Sequence, residues 1–287
     1  MKKHSRAWEQ EIFSGCGLIA RLLLFYARVF PEHPCKGRFW RFLTGFACPK
    51  GLLVRNGHGD KLLIDPNNYI GKVICRRGCY EPMSISLARK LVRGGVMVDI
   101  GCNFGLYTCT VGRHDQTKVV AVDASAIPFV ELIKNISING MVDVVAFNGA
   151  LDATHGIVDL YTPVSNVSAA RIEATPNHSG FRHCVPALPI DLILEKYSNG
   201  RVKLMKIDVE GHEFCILSHM NFNAAWRPEH ILMEHLEQGG CTGADLKRTY
   251  DLLRSCDYEA FNVQGDPYVE GMELPESNIW WRSTRGD

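Results

Sequence analysis

The sequence lacks any stretch suited to crossing a bilayer. Its longest apolar segment, Gly17 to Phe30, is short for a span and is broken by Arg21 and Arg28. No small-residue cleavage site follows it, so it does not read as a signal peptide. A basic excess is also missing: 32 Lys/Arg stand against 31 Asp/Glu, a formal charge of +1, which argues against a polyanionic partner such as nucleic acid. Repeats and low-complexity tracts are absent. Paired CxxC motifs are absent too; the eleven cysteines are odd in number, with Cys75 and Cys79 an isolated near pair. Several others lie in apolar runs, where a thiol behaves as a small hydrophobe. The expectation is reduced thiols in a cytoplasmic protein.

What is present is enough apolar material, 46% of 287 residues, to bury a full core. The near-zero charge hides an asymmetry. Residues 1–50 carry nine Lys/Arg and three Asp/Glu, a net of +6, which leaves −5 for the rest. Within that basic segment Leu18, Leu22, Phe25, Tyr26 and Val29 share one face of a helix. The simplest expectation lays this face against the rest of the chain or a second copy, as in a homodimer. Peripheral membrane contact through residues 1–45 is the alternative.

A short basic-aromatic helix is expected around Arg38 to Leu43. Leu52–Arg55 and Lys61–Ile64 flank Gly57-His58-Gly59-Asp60 and read as a β-hairpin. From a helix beginning at Pro82, strand and helix alternate. Buried strands are expected at Val96–Ile100, Lys118–Val122, Val144–Asn148, Val202–Ile207 and His230–Glu234. Helices fill the gaps at Leu106–Arg113, Ile127–Asn139, Ile190–Tyr197, Glu213–Met220 and Ala244–Cys256. Tyr258–Val263 and Asn278–Arg282, joined by a loop alone, should pair antiparallel. The predicted fold is α/β: a Rossmann-like, doubly wound, mostly parallel seven-stranded sheet with an antiparallel last strand. Domain boundaries are set at 1–50, an N-terminal helical extension, and 51–287, the main domain. Tyr161 to Pro186, rich in Ser, Asn and His, is expected to be a long connection over the active site. His178 and His183 within it are expected at the surface.

The chemistry concentrates at strand ends. Asp99 closes one strand and is followed by Gly101, Asn103 and Gly105, then a helix, a pattern for nucleotide-cofactor loops. The dinucleotide pattern G-x-G-x-x-G fails, because Asn103 and Leu106 stand where glycines are needed. A nicotinamide oxidoreductase is therefore the less favoured reading. Asp123 ends the next strand, where a carboxylate can accept from two ribose hydroxyls. Asn148-Gly149-Ala150-Leu151 follows the third strand, where an adenine ring would rest. The fourth strand leads into Asp208, Glu210 and His212 within one turn, and the fifth ends in Glu234-His235. Ionisable groups at adjacent strand ends face one crevice in such sheets.

These segments resemble the FkbM family of methyltransferases. The resemblance lies in Gly78-Cys79-Tyr80-Glu81-Pro82, Val98 through Thr108, Asn135 through Asn139, Leu188 through Asp191, and Lys206 through Glu213. It covers about residues 52–265, with Cys102 where the family commonly has Ala and Asp123-Ala124 where Glu-Pro is usual. It implies a class I fold, S-adenosylmethionine as cofactor, and O-methylation of a hydroxyl on a sugar or natural product. The implied cofactor-binding set is Glu81, Asp99, Gly101, Asn103, Gly105, Tyr107, Asp123 and Ala150.

A hydroxyl acceptor needs a general base within hydrogen-bond reach. His212 or Asp208 is the expected base, since imidazole ordinarily ionises near neutral pH. Glu210 and Glu234 would orient the acceptor or offset sulfonium charge, and Glu81 would enter the same crevice. A divalent metal on Asp208, Glu210, Glu234 and His235 is a less favoured version. N-methylation of a peptide or amine stays open, because the cofactor site does not distinguish it. A non-catalytic binding module is disfavoured by the intact acidic cluster.

Overall fold

The computed structural model describes residues 17–29, 35–56, 59–113, 116–164, 169–172, 180–235 and 242–285. The chain forms two compact units, residues 1–82 with 133–141, and residues 83–132 with 142–287.

In the first unit, helix α1 (Gly17–Val29) and helix α2 (Lys36–Ala47) precede a hairpin of β1 (Leu52–Arg55) and β2 (Lys61–Ile64), followed by helix α3 (Tyr69–Arg77). The hairpin has the expected register, Leu52 opposite Ile64 and Arg55 opposite Lys61; the expected turn residues Gly57 and His58 lie outside the described residues. Asn135 docks on it, accepting from the Leu63 N–H at 2.6 Å and donating to the Leu63 carbonyl at 3.0 Å. Helix α3 was not anticipated, yet its punctuation is local. The Asn68 side chain caps it by accepting from the Gly71 N–H, and Gly78 ends it in the left-handed region at φ 83°.

The apolar face expected to be covered is exposed. Leu18, Leu22, Phe25 and Val29 are 58–73% exposed and Tyr26 is half-buried, while Leu23 and Ala27 are buried. Among the described residues no helix is long and apolar enough to cross a membrane.

The second unit holds the expected sheet. Helix α4 (Pro82–Val92) leads into β3 (Val96–Ile100), α5 (Leu106–Thr110), β4 (Lys118–Asp123), α6 (Ala126–Asn139, whose last turns belong to the first unit) and β5 (Val144–Asn148). After an inserted sheet come α7 (Ile190–Tyr197), β9 (Val202–Ile207), α8 (Glu213–Ser218), β10 (His230–Glu234), α9 (Gly243–Ser255), β11 (Tyr258–Asn262) and β12 (Asn278–Ser283). The strand order is β11-β12-β10-β9-β3-β4-β5, with β12 antiparallel to both neighbours and β9, β3, β4 and β5 mutually parallel. β3 and β9 lie at the middle, and β3 is buried along its whole length, which is why both read as apolar runs. β5 is the sheet's edge and only half-buried.

One helix start is capped across a long sequence distance and another locally. Glu276 accepts from the Met83 and Ser84 N–H groups at 2.9 and 2.7 Å, capping the start of α4. Thr242 and Asp245 form a capping box on α9.

The expectation of a long connection from Tyr161 to Pro186 is overturned. β7 (Gly156–Pro163) and β8 (Gly180–Leu188) pair antiparallel from Gly156–Ala187 to Pro163–Gly180, and β8 also pairs with β6 (Ala150–Leu151). Ala150, Leu160, Val185 and Ala187 make this three-stranded sheet's own small core. His183 is not a plain surface residue: it stacks on Phe181, and both its ring nitrogens are buried without a hydrogen-bond partner. His178 lies outside the described residues.

Candidate active site

The site is built where β3, β4 and β9 end side by side. Asp99, next to last in β3, lies opposite Lys206 on β9 and Ala121 on β4. Gly101, at φ 73°, must be glycine, because a Cβ there would lie 1.7 Å from the Asp208 carbonyl oxygen. The cofactor loop and the Asp208 turn are therefore pressed backbone to backbone. The Asp208 N–H donates to the Ile100 carbonyl at 2.9 Å, closing the same contact.

Asp99 is buried and its Oδ2 accepts from the Thr108 N–H and hydroxyl at 2.9 and 2.6 Å. Burial pushes its carboxyl up to about 6, against the Thr108 hydrogen bonds and the Lys206 ammonium. Asp123 accepts from the Asn103 N–H at 2.7 Å with one oxygen and from the Ser125 N–H at 2.7 Å with the other. Burial raises it to about 6 as well. Each Asp123 oxygen keeps a further lone pair for a ligand hydroxyl. Asn148 donates to the Asp123 carbonyl at 2.8 Å, and the Gly149 N–H donates there at 3.0 Å. This ties the start of β6, and so Ala150, to the same strand end.

Lys206 is one of two residues here that sequence reasoning missed. It is 1% exposed, donates to Asp208 Oδ2 at 3.1 Å, and lies 5.3 Å from the Tyr107 ring centroid. A lysine inside the run Leu204-Met205-Lys206-Ile207 was the available signal, since a central buried strand does not carry a cation without partners.

The turn after β9 carries the second half of the site. Glu210 adopts φ 56°, a conformation that costs energy for a residue with a Cβ. Burial first, then the Asp208 charge, raise its carboxyl to about 7, with Arg171 opposing. Asn103 in the cofactor loop (φ 53°) and Glu81 (φ 46°) share this backbone class. Such outliers persist where surrounding structure enforces them, often at functional sites. Glu213 closes the turn by accepting from the Val209 and Gly211 N–H groups at 3.1 and 3.4 Å.

His212 Nε2 lies 3.3 Å from Asp152 Oδ1, the oxygen to which the Cys215 thiol donates at 3.2 Å. Burial alone would raise the Asp152 carboxyl, but the Ala153 N–H, the Cys215 thiol and His212 together hold it below its ordinary value. Asp152 was not foreseen because it sits sixty residues before His212 and is brought there by β6.

Of the remaining predicted residues, Glu234 and His235 come at the end of β10, which pairs with β9 through Met233–Ile207. Glu234 ends β10, where Ser277 donates to its Oε1 at 3.5 Å, and His235 Nε2 is 3.2 Å from the Tyr268 hydroxyl. Glu81 is buried in the first unit. Asp208, Glu210, Glu234 and His235 do not form a metal-sized group. Among the described residues the donor set that does is Asp152, His212 and Cys215, with ligand atoms within 4.8 Å of one another.

Solved structures with a similar fold include a TehB-like SAM-dependent methyltransferase from Corynebacterium glutamicum (11% identity, 73% of this chain and 91% of that chain, TM-score 0.41). An O-methyltransferase from Bacillus cereus in complex with SAH aligns at 14% identity over 70% of this chain and 80% of that one, with TM-score 0.42. An rRNA methylase from Streptococcus thermophilus aligns at 9% identity over 70% and 94%, with TM-score 0.38. Likenesses this distant carry no argument about substrate. No curated protein matches the chain. A family model described as the methyltransferase FkbM domain matches residues 99–260, more than half of the chain. That segment runs from Asp99 at the tip of β3 to β11, through both halves of the site, and the protein belongs to the FkbM family of S-adenosylmethionine-dependent methyltransferases.

Proposed function

We propose that this methyltransferase acts on a hydroxyl of a sugar or natural-product acceptor, with His212 as the general base. The observation that carries the proposal is the 3.3 Å contact between Asp152 and His212 Nε2 on the turn that also holds Glu210. A carboxylate accepting from one ring nitrogen fixes the tautomer and leaves the other nitrogen free to take a proton.

The residues suit the cofactor by donor chemistry. Asp123 has lone pairs for a ribose diol, and the Asn148–Ala150 backbone edges the same strand end for an adenine. Asp99, Asp208 and Glu210 give the site an excess of carboxylates over the single buried cation Lys206, which favours a positively charged ligand. When bound, S-adenosylmethionine supplies an electrophilic methyl group on a sulfonium.

A protonated hydroxyl is a weak nucleophile, so His212 would accept the acceptor's hydroxyl proton and leave its oxygen able to take the methyl group that the cofactor would supply. Glu210 holds the acceptor in line, and alignment contributes much of the rate. Asp208, held by Lys206, offsets sulfonium charge, and Glu234 keeps the role of a more distant orienting group. On this reading His212 serves as base and not as a ligand in the Asp152–His212–Cys215 donor set, so a metal-dependent mechanism is not favoured. The balanced charge of +1 supports a small-molecule or glycan acceptor over nucleic acid.

The test incubates the purified protein and cofactor with glycans, natural-product alcohols, peptides and amines. Gain of one methyl is read by mass spectrometry, with fragmentation to locate it. Methyl on oxygen is expected. Methyl on nitrogen alone, or unchanged turnover in His212→Ala, sinks the proposal.

A further inference from the structure

Helix α2 is inside out for a helix in water. Its buried stripe, at four-residue spacing, is Lys36, Trp40 and Thr44. Phe39, Phe42 and Phe46, also at helical spacing, are 47%, 72% and 86% exposed. The inward polar groups are satisfied internally: Lys36 donates to the Ala27 carbonyl and lies over the Tyr26 ring, and the Thr44 hydroxyl donates to the Trp40 carbonyl at 2.8 Å. The inversion is thus built into the packing. Helix α1 presents Leu18, Leu22, Phe25 and Val29 outward in the same manner. Large apolar faces left in contact with water mark an interaction site.

The charges accompanying these faces are of one sign. Neither helix contains an Asp or Glu, whereas Arg21, Arg38 and Arg41 are exposed beside the apolar rows. A second copy of this chain is a poor occupant, because a two-fold contact sets a patch against itself. The arginines would then meet arginines with no carboxylate in either helix to pair with. An anionic bilayer matches both features at once, taking the aromatic and aliphatic rows into the headgroup boundary and pairing the cations with phosphate and carboxylate headgroups. We infer that α1 and α2 form a peripheral seat for an anionic lipid surface.

The test is flotation of the full chain with vesicles of phosphatidylcholine alone and of phosphatidylcholine mixed with phosphatidylserine. Binding is expected to the mixed vesicles, to fall with added salt, and to weaken by about fivefold for each of Arg38 and Arg41 changed to Ser. Phe42→Ser/Phe46→Ser should abolish flotation with an unchanged thermal midpoint, since both side chains are exposed in the folded chain. Absence of flotation, equal binding to both vesicle types, or wild-type flotation of the double variant overturns the inference. So does a dimer in sedimentation velocity that the double variant dissociates, if the vesicles stay unbound.

Discussion

Lys206 Nζ donates to Asp208 Oδ2 at 3.1 Å, although the lysine side chain is 1% exposed and the aspartate 34%. The same ammonium opposes the upward push of burial on the Asp99 carboxyl of the neighbouring strand. One buried cation thus serves carboxylates from both halves of the site. Lys206→Met should cost about 2 kcal/mol of stability near neutral pH. Breaking a fully buried pair costs more, but the partial exposure of Asp208 screens this one. Chemical denaturation with an unchanged slope measures the loss, and an unshifted midpoint would count against it.

Asp99 and Asp123 give the apo protein a characteristic pH response. Burial raises both from an ordinary 3.8 to about 6. Between those values the folded chain holds protons that the unfolded chain has released. Their contribution to stability is therefore complete below the unfolded value and is lost as the pH rises through about 6. Thermal midpoints of apo protein across this window should show it, and Asp99→Asn should flatten the profile. Parallel profiles for the two proteins would refute the assignment.

Binding the cationic cofactor should reverse that linkage. A positive ligand favours the ionised carboxyls, so binding near pH 6 should release protons and tighten as the pH rises. Calorimetry in buffers of different ionisation enthalpy reads the release directly. Proton uptake at that pH is the contrary result.

His212→Ala should lower turnover by roughly 10²- to 10⁴-fold, the range for loss of a general base, while cofactor affinity stays unchanged. Asp152→Asn should cost less and act on kcat rather than on cofactor binding. Exhaustive chelation should leave turnover intact. Activity that disappears with chelation and returns with zinc would reassign Asp152, His212 and Cys215 as ligands.

Glu210 sets function against stability. Glu210→Gly relieves both the positive φ and the burial of a carboxyl raised to about 7, and should stabilise the fold by up to about 1 kcal/mol. Turnover should fall in the same variant. A destabilised or fully active Glu210→Gly protein would contradict this account.

The main sheet was legible because its central strands are buried on both faces and read as unbroken apolar runs. The β7–β8 hairpin was not. Pro163 and Pro186 interrupt its pattern, and Pro186 sits opposite Ile157 inside the ladder, where proline usually argues against a strand. The glycines and acids of the site could be read from their place after strands, as Asp99, Asp123 and Asp208 show. Lys206 showed itself only as a cation inside an apolar strand, whereas Asp152 reaches His212 through the tertiary course of β6 and had no local signature. The apolar face of α1 was visible in the sequence, but its outward direction was not, since periodicity identifies a face without saying which way it points.

The three-stranded sheet of β6, β7 and β8 carries a small core of its own, yet Arg171, bridged to Tyr161 on β7, reaches the charge of Glu210. Leu151 at its base belongs to the main sheet's core, so the attachment is anchored through β6. Gly101 and Asp208 leave no slack for altering the reaction centre, so a new acceptor is best sought by grafting a different hairpin between Gly156 and Leu188.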